Sequence, residues 1–171
     1  MILRSVLGSA LLAALLFGAG ANEQAGKMKP MFQSVDPSKA TLVGSGEDKE
    51  YCAVCGMNLV KFYKTNHVWN GKQVASLHCL YELTDGKIPS DAQVVDTKNL
   101  NLIDANNAFY VVGSKIGGTM TRNSKYAFST EADAKEFQAE NGGEIMNFAK
   151  AYEIAGQDFE GDNKMIKAKR E

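Results

Sequence analysis

Asn66-His67-Val68-Trp69-Asn70-Gly71-Lys72-Gln73-Val74-Ala75-Ser76-Leu77 is the stretch whose reading sets the architecture. Asn70-Gly71 between β-branched and aromatic residues is the strongest short-range hairpin signal, because a type I′ turn needs two residues that tolerate positive φ. Two strands joined by a tight turn are therefore expected over 66–70 and 73–77. A short helix follows from Cys79 through Thr84, stopped near Gly86 with Pro89 beyond it, and Gln93–Thr97 reads as the next strand. The second half presents the same order. Phe109–Val112 and Tyr126–Phe128 are strands on either side of a Gly-rich loop at 113–119. Thr130 with Asp133 starts a helix whose buried face carries Ala134 and Phe137, and Asn141-Gly142-Gly143 ends it. Residues 145–148 close the set as a strand. The reading is an α+β fold of two similar ββαβ units packed as one domain.

Outward from that core, the chain divides by composition. Its 171 residues, 44% hydrophobic and 23% charged, suffice for one domain with a core. Nineteen Lys+Arg against twenty Asp+Glu leave a formal charge of −1, which gives no basic field and excludes nucleic acid as a partner. Arg4, the apolar run Val6–Phe17 and Ala19-Gly20-Ala21 read as a signal peptide over 1–21, cleaved near Ala21, with the periplasm as destination. The apolar run is shorter than the ~20 residues of a membrane-spanning helix, so the mature chain is not expected to be an integral membrane protein. No cysteine follows the cleavage site for lipid attachment. Residues 22–50 read as a polar linker or arm, 51–156 as the folded domain and 157–171 as a polar, solvated tail. Within the arm, Met28 and Met31 are either soft ligands or ordinary linker residues.

The chemistry concentrates in Tyr51-Cys52-Ala53-Val54-Cys55-Gly56-Met57 and His78-Cys79. Two cysteines with two residues between them converge on one centre, as a metal knuckle or as a disulfide. Gly56 permits a tight turn, and Met57 adds a thioether. All three cysteines and both histidines of the chain lie within residues 52–79. Thiolate with thioether favours Cu(I), whereas Zn(II) is satisfied by Cys52, Cys55, Cys79 and His78 or His67 and has no use for methionine. The region lacks the clustered carboxylates of a hard-cation site. Plainer readings stand beside these: a Cys52–Cys55 disulfide, Cys79 as a small buried hydrophobe, Met57 as core filler, and His67 as a surface residue of the hairpin. Phe62, Tyr63 and Trp69 read as core rather than as a shield over the site. A thiol–disulfide oxidoreductase through Cys52 and Cys55 is a further alternative, without the βαβ context such enzymes show. No Ser-His-Asp or paired-carboxylate pattern suggests other catalysis.

Cys55-Gly56-Met57, Leu102-Ile103-Asp104-Ala105, Ala108 through Ser114, Gly117-Gly118-Thr119-Met120, Ala127-Phe128-Ser129 and Asn141-Gly142-Gly143 occur in the order in which they stand in a known family. From Tyr51 to Tyr152 the chain resembles NosL, the nitrous oxide reductase accessory proteins. The resemblance implies a pair of ββαβ units and an exported, non-enzymatic Cu(I) chaperone. It also implies a role in assembling the copper centres of nitrous oxide reductase, with a maturation transporter complex at the inner membrane. By position, the family's Cys-Gly-Met motif falls on Cys55 and Met57, and its glycine-loop methionine on Met120. The candidate ligands are then Cys52, Cys55, Met57, His78, Cys79 and Met120. The chain departs from the family in three ways: it lacks the N-terminal anchoring cysteine, Thr119 and Thr121 flank Met120 where glycines are usual, and Cys52 with His78-Cys79 enriches the ligand set.

Overall fold

A computed structural model describes residues 31–170, so the expected signal peptide, its cleavage site and Met28 lie outside the described residues. The hairpin forms where Asn70-Gly71 puts it. Strands β1 (His67–Trp69) and β2 (Lys72–Val74) pair antiparallel, and both turn residues take positive φ, 48° at Asn70 and 70° at Gly71. Helix α1 (Leu77–Leu83) starts two residues before its expected position, because Ser76 caps it by accepting from the Cys79 N–H at 3.3 Å. Strand β3 (Gln93–Val95) returns beside β1, and β4 (Leu102–Asp104), a strand the sequence reading had not assigned, extends that edge. The sheet order is β2-β1-β3-β4.

The second unit repeats the path. Strands β5 (Phe109–Val112), β6 (Lys125–Phe128) and β7 (Glu144–Met146) form a sheet of order β6-β5-β7, with α2 (Glu131–Asn141) between β6 and β7. In both units the first strand is central, flanked by its hairpin partner and by the strand that follows the helix. Thr130 caps α2 from the Asp133 N–H, and Gly142 ends it at φ 70°. Two expectations are corrected here. The last strand stops at Met146 rather than 148, because Asn147 caps a new helix, accepting from the Lys150 N–H at 3.0 Å. That helix, α3, runs Phe148–Ala168, so most of the expected polar tail is helical. Its apolar spacing Phe148, Tyr152, Ala155, Phe159, Ile166 continues well past Gly156.

Alternation along β5 explains how the units share a core. Tyr110 and Val112 face the main cluster with Val74, Leu77, Leu80, Val94, Phe148 and Tyr152, while Val111 faces a smaller cluster with Phe128 and Phe137 beneath α2. The segment before the domain lies over it. Gln33 donates to the Gly117 carbonyl (2.6 Å), Val43 N–H to Gln73 Oε1 (3.0 Å) and Thr41 N–H to the Tyr63 hydroxyl (2.8 Å). Tyr63 is fully buried, as expected of a core aromatic. Among the described residues no helix is long and apolar enough to cross a membrane.

Candidate metal centre

The Cys52–Met57 segment is a closed loop. Tyr51 and Asn58 form an antiparallel bridge, Cys52 N–H donates to the Met57 carbonyl (2.8 Å), Gly56 N–H to the Cys52 carbonyl (3.0 Å), and Gly56 turns the chain at φ 71°. Both cysteines thereby face the start of α1, where Cys79 stands. The three sulfurs lie within 4.8 Å of one another, with Cys79 Sγ 3.6 Å from Cys55 Sγ. All three are free thiols, and no S–S bond joins them in this structure. A metal–thiolate bond of about 2.3 Å sets two sulfurs on one metal roughly 3.8–4.0 Å apart, so the cluster fits a sulfur-bound ion with little movement.

The environment divides the thiols. Cys52 accepts the N–H groups of Cys55 (3.5 Å) and Ala75 (3.2 Å). A hydrogen bond from the Cys79 thiol pulls Cys52 down to about 5; burial opposes this, and the N–H groups of Cys55, Val54 and Ala75 add to the fall. Cys79 is pushed up by the same hydrogen bond to Cys52 and then by burial, and Cys55 is raised chiefly by burial. One thiolate is therefore ready at neutral pH, and binding a metal expels protons from the other two. Cys52 and Cys79 are buried and Cys55 is half-buried, which makes Cys55 the accessible edge of the cluster.

The other candidates fall in different places. Met57 is half-buried on the same loop and packs against the core. His67, expected on the surface, is fully buried; its Nδ1 lies 3.0 Å from the Thr65 carbonyl and its Nε2 3.2 Å from the Tyr110 hydroxyl. A carbonyl only accepts, so Nδ1 carries the proton and Nε2 accepts from Tyr110, leaving no nitrogen for a metal. His78 is 8% exposed and turns toward α3, its ring 5.1 Å from that of Phe159. Met120 is 46% exposed in the glycine loop and takes φ 54°, uncommon for a side chain of its size. His78 and Met120 line one cavity of about 410 Å³ with Met165 of α3. Met165 lies in the stretch that reads as a polar tail in the sequence.

A family model, NosL, matches residues 67–154, just over half of the chain. The chain belongs to the NosL family. The matched span holds His78, Cys79 and Met120 and begins after Cys52, Cys55 and Met57 of this NosL-family chain. Among solved structures it is similar to the crystal structure of the copper chaperone NosL from Shewanella denitrificans, with a TM-score of 0.49 and 20% identity, over 67% of this chain and 96% of that one. A comparison with curated proteins found no match.

Proposed function

We propose that this NosL-family chain is a periplasmic carrier of Cu(I), without catalytic turnover, that delivers its cargo for the copper centres of nitrous oxide reductase. Its partner would be that enzyme or its maturation transporter complex at the inner membrane. The observation that carries the reading is the convergence of Cys52, Cys55 and Cys79 within 4.8 Å. Three soft donors suit a low-coordinate monovalent ion, and the half-buried Cys55 gives an incoming ligand a place to attack. Exchange then proceeds one sulfur at a time: the partner's donor binds as Cys55 leaves, followed by the buried pair.

The cluster fits the alternatives less well. Among the described residues it gathers no fourth His, Asp or Glu, whereas structural zinc is bound by four protein ligands. The CxxC pair sits on a loop closed by a β-bridge, and a thiol–disulfide enzyme of the thioredoxin type places it within a βαβ context. Anaerobic titration of the reduced protein with Cu(I) against a competing chelator tests the proposal. Stoichiometric binding that weakens at least a hundredfold in Cys55→Ala, with Zn(II) unable to displace the copper, is the expected result. Failure to compete for Cu(I), or displacement by equimolar Zn(II), would overturn it.

A further inference from the structure

Residues 31–35 stand far ahead of β1 in the chain, yet they touch both units. Toward the first unit, the Val35 N–H donates to the Val60 carbonyl (3.3 Å) and the Gln33 carbonyl accepts from the Lys64 N–H (3.2 Å). The Lys64 ammonium lies 4.1 Å from the centre of the Phe32 ring. Toward the second unit, that ring meets Tyr126 edge-on at 5.3 Å and Phe137 at 5.7 Å. Gln33 Nε2 donates to the Gly117 carbonyl at 2.6 Å, and the Tyr126 hydroxyl donates to the same oxygen at 2.7 Å, so both its lone pairs are engaged.

The glycine loop takes its fixed shape from two sets of contacts. Its base is tied within the second unit, by the Ser114 and Ser124 hydroxyls at 2.8 Å and by the Gly113 N–H to the Ser124 carbonyl at 2.9 Å. Its tip is held from outside. Gln33 and Tyr126 fasten Gly117, and the buried Thr119 hydroxyl lies 2.7 Å from that of Thr65. Lys64 and Thr65 are consecutive in the short turn Tyr63–Thr65, so residues 31–35 and the loop tip grip the first unit at one place.

We infer that Phe32 and Gln33 form a detachable strap that locks the glycine loop, so that the segment ahead of the domain controls the loop's freedom to move. One aromatic ring, 37% exposed, and one side-chain hydrogen bond are set against the entropy of ordering the segment, and Met31 beside them is exposed. Elements with so little buried apolar surface open before the core does. Release leaves the cluster of Val111, Phe128 and Phe137 packed beneath α2 and the base of the loop tied. It removes one of the two donors to Gly117 and the ring that packs on Tyr126, whose hydroxyl is the other. Displacement of residues 31–35 therefore frees the loop and the exposed Met120 at its tip without passing through the hydrophobic core. The strap does not depend on which metal the protein carries.

Backbone 15N relaxation of the full chain tests this. In the wild type the amides of 116–120 should be as ordered as those of β5, with order parameters of about 0.85. In Phe32→Ala/Gln33→Leu they should fall below about 0.6 while β5 and β6 are unchanged. Phe32→Tyr, which keeps the ring and the Gln33 hydrogen bond, should match the wild type. A loop equally ordered in the double variant, or already mobile in the wild type, overturns the strap. So does a Phe32→Tyr chain as loose as the double variant. An equal loss of order in β5 and β6 overturns it as well, because the segment would then belong to the core and could not detach on its own.

Discussion

His67 is neutral in the folded chain because burial holds its pKa at about 3, against an ordinary value of 6.5, despite the opposing hydrogen bond to Thr65. Between those values the unfolded chain binds one more proton than the folded one. Stability from this group is therefore fully present above about pH 6.5 and is lost progressively as the pH falls toward 3. Urea denaturation between pH 7.5 and 4 should show the wild type losing a few kcal/mol. His67→Phe, which cannot titrate, should have a shallower slope over the same range; an unchanged slope would refute the assignment. His67 has both nitrogens satisfied, whereas His78 keeps one without a partner.

Among the elements, α3 departs furthest from its reading, and two contacts hold it. Gly156 packs against the ring of Tyr81 on α1, where a Cβ would stand 2.5 Å from a ring carbon, so glycine is what permits this approach. Further along, Asp158 is buried and pairs with buried Lys125 of β6 at 2.7 Å. Burial raises the Asp158 pKa, but hydrogen bonds from Lys125, Thr121 and Asn123 outweigh it and hold the carboxylate below its ordinary range. Removing one partner strands a buried charge, so Asp158→Ala is expected to cost about 3–5 kcal/mol in urea denaturation. Lys125→Met/Asp158→Leu should recover most of that loss. A recovery of less than ~1 kcal/mol would mean that the pair contributes more than its own charge balance. Acidic residues in a polar stretch read as tail because their partner lies 33 positions away, on another element.

At the scale of the molecule, the two sheets are joined through Asp96. It forms a parallel bridge with Ala127, the Thr97 N–H donates to the Ala127 carbonyl at 2.8 Å, and Ser129 donates to the Asp96 carboxylate through both Oγ and N–H. With a hydrophobic core built from both units, the chain should unfold in one transition. Fluorescence of Trp69, the single tryptophan, reports on the first sheet, and far-ultraviolet circular dichroism reports on the whole. The two curves should coincide in wild type and in Asp96→Ala, the variant being destabilised by about 2–4 kcal/mol through lost charge-assisted hydrogen bonds. Separate midpoints in the wild type would show two independent units.

The sequence by itself determined the two ββαβ units, the Asn70-Gly71 turn, both ends of α2 and the loop that presents Cys52 and Cys55. All of these follow from local rules, in which turn residues, caps and side-chain period act within a few positions. It also marked Cys79 as a partner for that pair, because soft ligands concentrated in so short a span are seldom core filler. Only the tertiary structure decided that the three sulfurs meet, that His67 is spent on Thr65 and Tyr110, and that His78 and Met120 share a cavity with Met165. These outcomes depend on contacts between residues distant in the chain, and the burial and hydrogen-bond partners that fix a side chain's chemistry exist only once the two units pack.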